Sequence, residues 1–217
     1  VGWFLGRAAS RWAGGRLGRL GYAPPGRPLY RLEALPPREG SAGGKARALA
    51  RLTRAGLPVP RGVVALPRAF DGPRLTPEAA ELLARELSRF PTGQRFAVRS
   101  SALTEDSDAA SFAGAYESVL NVPVSEMTEA VGRVRRSRNS ARVSGYGAAT
   151  GTAPGDLAVV VQAMVDADLA GVLFTVDPLT GDLGTMTGTM VEGLGEALVS
   201  GSETGAGFTL ARPSGDF

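Results

Sequence analysis

The segment Gly43–Val64, GGKARALARLTRAGLPVPRGVV, decides the start of the fold, because it passes from a glycine turn through a helical pattern to an apolar strand. Apolar residues recur at helical spacing over Ala46–Ala55, and Gly56 followed by Pro58 supplies a stop. Gly62–Leu66 (GVVAL) then has the composition of a short buried strand. The segment therefore predicts a helix that leads directly into a core strand.

Lys45 stands out within this segment, since it is the only lysine among the 24 lysine and arginine residues of the chain. It follows Gly43 and Gly44, and glycines let a backbone come close to a ligand. A lysine ammonium is a compact charge on a flexible stem, which suits a phosphate group. The pattern indicates phosphate binding, and an ordinary surface lysine is the alternative.

Further strand and helix patterns alternate along the chain. The run Leu157–Met164 (LAVVVQAM) is continuously apolar except for one amide, which is typical of a buried strand. The other predicted strands are Arg95–Ser100, Ser118–Val122, Gly171–Val176 and Thr189–Glu192, and the other predicted helices are Thr76–Phe90 and Ser125–Arg142. Leu29–Leu35 is expected to be extended and Gly145–Gly155 to be a flexible segment.

The composition limits the chemistry that is available. The chain has 217 residues, 43% of them hydrophobic, and contains neither cysteine nor histidine. Thiolate nucleophiles, disulfides, zinc sites and imidazole acids or bases are therefore excluded within it. No run approaches the length of about 18 apolar residues that a membrane helix requires. We expect a cytoplasmic protein whose chemistry depends on carboxylates, lysine, arginine, hydroxyls or a hard metal ion.

Charge is distributed unevenly. Residues 1–61 carry eleven Arg and one Lys against two Glu, a net charge of +10, whereas the remainder carries −7. We predict that residues 1–25 form a basic lead segment, with disorder left open, and that residues 26–217 form the folded domain. A basic end can bind nucleic acid, a membrane surface or a polyphosphate. Nucleic acid is the weaker interpretation, because no recognisable nucleic-acid-binding motif accompanies the charge.

Four segments in order carry a family resemblance: GGKARALARLTRAGLPVPRGVV, FAVRSSALTEDSDAASFAGAYESVLNV, LAVVVQAMVDADLAGVLFTVDPLTGD and VEGLGEALVSG. Together they resemble the ATP-binding domain of the phosphoenolpyruvate synthase and pyruvate phosphate dikinase family, to which rifampin phosphotransferase also belongs. The resemblance covers about residues 29–212. It implies an α+β fold of the ATP-grasp type, in which two lobes hold Mg-ATP between them. It also implies phosphoryl transfer to a histidine on a separate swivelling domain.

The resemblance assigns the phosphate contacts to Lys45 and Arg99. Lys45 matches the family's ATP-contacting lysine, and it stands at a helix start whose amides favour anions. Arg99 matches the nucleotide-binding arginine and offers a bidentate clamp. A salt bridge from Arg99 to Glu105 or Asp106 is the alternative. The loop Ser101–Gly114 then suits a mobile lid over the triphosphate.

Two further positions match nucleotide contacts in rifampin phosphotransferase-like members. Gly114 would let the backbone approach the nucleotide, and Ser118 would offer a hydroxyl where a threonine is common. Taken alone, they are ordinary turn and strand residues.

The adenine is expected at Gln162, in the Val-Gln-x-Met segment that the family places there. A buried amide is costly without hydrogen-bond partners, which a purine edge would supply. The backbone near Met164 and Val165 is expected to share the recognition. A core amide satisfied by the protein itself is the alternative.

Magnesium prefers one or two carboxylates together with phosphate oxygens. Glu196, in Gly-Leu-Gly-Glu, stands at the family's usual metal-binding position, and Glu192 is the second candidate. The chain departs from the family downstream of these residues. Phe208 falls where a second polar group is expected and Leu210 where a phosphate-binding arginine is common, with Arg212 displaced nearby. These departures leave catalytic competence open.

The resemblance therefore implies a Mg-ATP-binding phosphoryl-donor domain of a phosphoenolpyruvate synthase (pyruvate, water dikinase)-like phosphotransferase. It would not be active alone, because it would need a phospho-carrier histidine domain and a pyruvate- or phosphoenolpyruvate-binding domain, in the same chain or another. One alternative is the ATP-binding domain of a rifampin phosphotransferase-like enzyme. Another is a degenerate nucleotide-binding module without catalysis. A basic binder of nucleic acid or membrane surfaces rests on the charged end alone.

Overall fold

The apolar run that begins at Leu157 forms the central strand of a five-stranded sheet, as its composition predicts. The computed structural model describes residues 2–5, 26–102, 117–137 and 157–211. Its strands, in chain order, are β1 (Gly2–Leu5), β2 (Leu29–Arg31), β3 (Gly62–Ala65), β4 (Phe70–Asp71), β5 (Arg74–Leu75), β6 (Phe96–Ala102), β7 (Ser118–Val122), β8 (Leu157–Ala163), β9 (Leu169–Phe174), β10 (Thr185–Glu192) and β11 (Ala206–Ala211). Its α-helices are α1 (Gly43–Arg54), α2 (Pro77–Leu87), α3 (Met127–Arg136) and α4 (Glu196–Ser200).

The chain divides into two compact units. The first unit is Arg16–Met164, and the second combines Val1–Gly15 with Val165–Phe217. The first is built on a sheet of order β2-β3-β8-β6-β7, in which every neighbouring pair is antiparallel. The second is built on a sheet of order β1-β9-β10-β11, which is also antiparallel throughout. Both units therefore combine helices with an antiparallel sheet.

Alternating residues of the central strand β8 build two cores on opposite faces of the first unit's sheet. Val159 and Val161 pack with apolar residues of α2 and α3 on one face. Ala158 and Val160 pack with the alanines of α1 on the other. A strand that is covered on both faces has no polar side, which explains why its sequence is continuously apolar.

The helices of the first unit begin in different ways. At α2 the Thr76 hydroxyl accepts a hydrogen bond from the Ala79 amide at 3.2 Å, and Pro77 occupies the first helical position. At α1 the preceding residue, Ala42, offers no side-chain cap. The start of α1 therefore depends on partners from elsewhere in the fold.

The structure confirms most predicted elements and corrects several others. Leu29–Leu35 is extended only as far as Arg31, after which Leu32–Ala34 forms a 3-10 helix. The elements that the sequence did not predict are β1, the β4–β5 hairpin, α4 and β11. The segment Gly145–Gly155, which the sequence predicts to be flexible, and the part of the predicted helix beyond residue 137 lie outside the described residues. In the part of the chain that is described, no helix is both long and apolar enough to cross a bilayer.

Candidate functional site

The N-terminus of α1 and the end of β6 meet at the predicted phosphate site. The Lys45 ammonium donates a hydrogen bond of 2.9 Å to the Ser100 carbonyl oxygen. Ser100 is the residue that follows Arg99 in β6. The structure therefore brings the two predicted phosphate-binding residues to the same place, although they are 54 positions apart in the sequence.

The Ser101 hydroxyl joins these two elements. Ser101 Oγ donates to the Ala42 carbonyl oxygen at 2.7 Å and accepts from the Ala46 amide at 3.0 Å. An α-helix uses this same pair of groups, four residues apart, for its first backbone hydrogen bond. The hydroxyl is fully buried, so it supplies the cap that Ala42 lacks. Sequence reasoning treated Ser101 only as the start of a loop, and no pattern local to Ser101 marks its contact with α1.

Gly43 explains how Ser101 can come so close. Gly43 has a φ of 73°, and an added Cβ would lie 2.3 Å from the Ser101 carbonyl oxygen. Both the backbone conformation and the contact require glycine here. The glycine turn before Lys45 therefore serves a close approach between two backbone segments.

Strand pairing aligns the other predicted residues of the first unit. Arg99 lies directly opposite Val160 of β8 and Ser118 of β7, so these three residues project from the same face of the sheet. Gln162 follows Val160 by two positions and therefore shares that face. Because Val160 packs against α1, this is also the face from which Lys45 approaches. Gly114 lies outside the described residues.

Gln162 has a partner within the protein. Its side chain is 6% exposed, and its Nε2 donates to the Pro60 carbonyl oxygen at 2.9 Å. The amide therefore does not need a purine to satisfy its donor, which removes part of the reason for placing adenine there. The position of Gln162 on the face that carries Arg99 is a separate argument and is unaffected.

The backbone after β8 is also engaged. The Met164 amide donates to the Arg95 carbonyl oxygen at 2.9 Å, and the Met164 carbonyl accepts from Gln94 Nε2 at 3.2 Å. A carbonyl oxygen has a second lone pair, so it could still accept from an adenine amino group, whereas the amide has no second proton to donate. Val165, the next residue, begins the second unit and is partly buried.

The two predicted metal ligands lie in the second unit. Glu192 is the last residue of β10, and Glu196 is the first residue of α4; both are exposed. Between them Gly193 adopts a φ of 69° and donates its amide to the Asp168 carbonyl oxygen at 2.9 Å. Glu196 lines a shallow depression together with Leu194, Ala197, Ser200 and Ser202.

This donor set fits magnesium that is bound mainly by phosphate. The described residues contain no group of three or more acidic side chains placed to hold a metal ion by themselves. A site with one or two accessible carboxylates is what magnesium uses when phosphate oxygens and water complete its shell. Glu196 and Glu192 supply carboxylates of that kind.

The two downstream positions where polar groups are expected, Phe208 and Leu210, lie on β11. Phe208 lies opposite Gly188, and a Cβ on Gly188 would lie 2.4 Å from the Phe208 ring, so the ring covers the glycine. Leu210 is 45% exposed on β11. Neither residue offers a polar group, and Arg212 lies outside the described residues.

Two carboxyl groups have pKa values below their ordinary range. Burial alone would raise the pKa of Glu39, but hydrogen bonds from Arg68 and Ser41, together with the Arg68 charge, outweigh it and lower the pKa. The Glu39–Arg68 pair is 2.5 Å apart. The pKa of Asp177 is lowered by hydrogen bonds from the amides of Leu179, at 2.7 Å, and Thr180, at 3.1 Å. Glu39 also accepts hydrogen bonds from both the amide and the hydroxyl of Ser41 just before α1, so it supports the turn that leads to Lys45.

Comparison with known families gives one match over most of the chain. The model of the family described as "Pyruvate phosphate dikinase, AMP/ATP-binding domain" matches residues 74–216. Arg99, Gln162, Glu192 and Glu196 fall within the matched residues, whereas Lys45 precedes them.

Individual relatives extend this match. The prodigiosin synthesizing transferase PigC of Serratia marcescens is 38% identical over 200 residues, which cover 80% of this chain and 22% of PigC. A probable phosphoenolpyruvate synthase of Methanothermobacter thermautotrophicus is 35% identical over 215 residues, covering 76% of this chain and 31% of the relative. A rifampicin phosphotransferase of Streptomyces is 42% identical over 130 residues, covering 58% and 15% respectively. The chain therefore spans less than a third of the length of each of these proteins.

Proposed function

The chain belongs to the pyruvate phosphate dikinase AMP/ATP-binding domain family, and on that premise we propose that it binds Mg-ATP and donates a phosphoryl group from it. The observation that carries the proposal is the convergence of Lys45 and Arg99, through the Ser100 carbonyl, on one face of the five-stranded sheet. We propose the ATP-grasp type for this fold, supported by two units that each combine helices with antiparallel sheet.

The proposed phosphate contacts are Lys45 and Arg99. Phosphoryl transfer needs little covalent help from a protein, so positioned positive charge is the main requirement. A lysine ammonium has three donors, and its bond to the Ser100 carbonyl is compatible with a phosphate contact through another donor. Arg99 can hold two phosphate oxygens at once. Ser118, directly opposite Arg99, would add a hydroxyl, and Gly114 would contribute a backbone contact.

The proposed adenine contacts are Gln162 and the backbone of Met164 and Val165. Gln162 lies on the face that carries Arg99, two positions beyond the residue opposite it. Since its Nε2 already donates to the Pro60 carbonyl oxygen, we propose that Gln162 lines the adenine site with a side chain whose position this hydrogen bond fixes. The direct hydrogen bonds to the purine edge would then come from the Met164 carbonyl or from Val165.

Glu196, with Glu192 as the second carboxylate, is proposed to hold magnesium. The ion, when bound, would neutralise the charge that develops on the phosphate oxygens. Exposed carboxylates suit this role, because a solvated ion can reach them.

We propose that the phosphate acceptor is a histidine on another domain, in this polypeptide or a separate one, since this sequence contains none. In-line transfer requires the nucleophile to be held next to the phosphate by that domain. A second domain that binds pyruvate or phosphoenolpyruvate would complete a synthase, as the name of the Methanothermobacter relative suggests. An antibiotic-binding domain would instead make a rifampicin phosphotransferase. Phe208 and Leu210 favour a third candidate, a module that binds nucleotide without catalysis, because both stand where polar groups are expected.

Mg-ATP binding to the 217-residue chain is the direct test, measured by calorimetry and by thermal unfolding. A ligand at about 100 times its dissociation constant should stabilise the folded state by about 2.7 kcal/mol. K45R should weaken binding although it keeps the charge, because the wider guanidinium does not fit the lysine's approach beside Gly44. R51K on the exposed side of the same helix is the matched control and should leave binding unchanged. A folded chain that gains no stability from Mg-ATP would refute the proposal.

Labelling separates the three candidate functions. ATP labelled separately at the β and γ positions should leave no stable phosphate on the isolated chain, as judged by mass spectrometry. Label should appear on an added histidine-bearing partner domain if the chain is a donor. Nucleotide binding without label on such a partner would indicate the non-catalytic module, and a stoichiometric phospho-serine or phospho-aspartate would indicate a self-sufficient kinase.

A further inference from the structure

The Ser101 hydroxyl occupies an unusual place for a strand side chain. It lies between the Ala42 carbonyl and the Ala46 amide, at 2.7 and 3.0 Å, in the first turn of α1. Lys45 lies in the same turn, and its ammonium donates a hydrogen bond to the Ser100 carbonyl oxygen at 2.9 Å. Two consecutive residues of β6 therefore hold the turn that contains Lys45: Ser101 binds the backbone of Ala42 and Ala46, and Ser100 binds the Lys45 side chain.

These contacts cross a long stretch of sequence. The hydrogen bonds join residues that are 55 to 59 positions apart, so they are not the local contacts of a turn between adjacent elements. Gly43 adds a steric lock, because its backbone passes so close to Ser101 that no larger residue fits. The relative position of α1 and β6, and with it that of Lys45 and Arg99, therefore depends on this small cluster.

We propose that Ser101 is a positioning residue that sets the Lys45 ammonium at the phosphate site, an inference that rests on the proposed function of Lys45. Without the hydroxyl, the Ala46 amide and the Ala42 carbonyl can bond directly to each other as in an ordinary helix. That change would cost little folding stability, since both backbone groups remain satisfied. It would move the first turn of α1 relative to β6, and the ammonium would no longer be held where the phosphate binds.

A double-mutant cycle on the full 217-residue chain tests this inference, with Mg-ATP affinity measured by calorimetry for S101A, K45A and the double variant. S101A alone should weaken binding about tenfold. In the K45A background, S101A should change the affinity less than twofold, because a positioning residue has nothing left to position. S88A, which removes an exposed serine hydroxyl bonded to the Arg85 carbonyl, is the control and should leave affinity unchanged.

The outcomes separate the two ideas. If K45A weakens binding but S101A costs the same factor with and without Lys45, then Ser101 has only a structural role and the inference is wrong. If S101A alone leaves the affinity unchanged, the inference is likewise wrong. If K45A itself leaves the affinity unchanged, the proposed role of Lys45 fails.

A second variant covers the case in which S101A does not fold. S101C keeps nearly the same shape with a weaker donor and acceptor, and it should give a smaller loss of affinity that also disappears in the K45A background. A loss that persists there would again refute the positioning role.

Discussion

The first and second units hold their candidate residues in contrasting ways. In the first unit, the residues next to Arg99 and Gln162 in their strands are buried, and Lys45 lies in the first turn of a helix packed on the same sheet. In the second unit, Leu173 and Val191 are the buried apolar side chains among the described residues, and Glu196 is exposed. The difference teaches that the same kind of substitution affects different properties in the two units. In the first unit it tests packing and ligand binding together, whereas in the second it tests ligand binding almost alone.

The largest expected effect is that of G43A in the first unit. The added Cβ would lie 2.3 Å from the Ser101 carbonyl oxygen and would face a φ of 73°. We expect a loss of about 3 kcal/mol or more in the free energy of unfolding, because the backbone must move. G56A is the control, since its φ of 79° is similar but nothing lies within 4 Å, and it should cost about 1 kcal/mol. Equal losses in urea unfolding would show that the contact with Ser101 does not constrain this turn.

The next effect compares one valine from each unit. Val160 of β8, on the sheet face that α1 covers, is 0% exposed, whereas Val199 of α4 is 60% exposed. V160A should lower the free energy of unfolding by about 2 kcal/mol, since it removes two buried carbon groups and leaves a cavity. V199A should change it by less than about 0.5 kcal/mol. A large loss from V199A would mean that the second unit buries this side chain in solution.

E196Q should separate binding from stability in the second unit. Because Glu196 is exposed, we expect unfolding without ligand to be unchanged. At limiting magnesium, the affinity for ATP should fall about tenfold, because a neutral amide is a weaker ligand for a hard cation. E203Q, which replaces another exposed glutamate of the same unit, is the matched control. An ATP affinity that responds equally to both substitutions would remove Glu196 from the metal site.

The smallest expected effect concerns two carboxyl groups with lowered pKa values. The pKa of Glu39 is held down largely by the Arg68 ion pair, and that of Asp177 by backbone amides. Raising the salt concentration to 1 M should move the pKa of Glu39 towards its ordinary value and change that of Asp177 less, because salt screens charges more than neutral hydrogen bonds. Titration of the carboxyl carbons by NMR measures both. A larger salt response at Asp177 would contradict this assignment of causes.

The lowered pKa of Glu39 also gives a direction for stability. Its contribution is fully present above the ordinary value of 4.5 and is lost as the pH falls through the lower value of the folded state. Since the Arg68 side chain is 37% exposed, the contribution is about 0.5 to 1 kcal/mol. E39Q should therefore flatten the loss of stability that occurs as the pH falls below the ordinary value of 4.5.

Local patterns predicted the parts of the fold that depend on local rules. The run from Leu157 was predicted as a buried strand because both of its faces are apolar, and α2 was predicted because Thr76 and Pro77 mark its start. The role of Ser101 could not be predicted, because its partners are 55 and 59 positions away. The strand β11 was missed for a related reason: most of its residues are exposed, so its sequence carries no burial pattern.

The same limit applies to the candidate site. Lys45 pointed to phosphate because it is the lone lysine of the chain. The strand pattern placed Arg99 near the end of the strand that the structure shows as β6. The partner of Gln162 is Pro60, 102 positions away, and nothing in the strand itself could indicate it. Hydrogen-bond partners that are distant in sequence are set by the tertiary fold, so sequence reasoning favoured a ligand for this amide and kept a partner within the protein as the alternative.

The strand order of the first unit has a consequence for how the chain folds. The central strand, β8, pairs with β3 on one side and β6 on the other, yet it is the last strand of its unit to be synthesised. Until it emerges from the ribosome, β2–β3 and β6–β7 are separate two-stranded pieces, and isolated pieces of that kind are at best marginally stable in water. Closing the sheet then requires pairing across about 100 residues, which is slow for entropic reasons. A nascent chain that stops before residue 157 therefore leaves the edges of β3 and β6 that β8 covers unpaired, and this is the stage at which a chaperone would be needed.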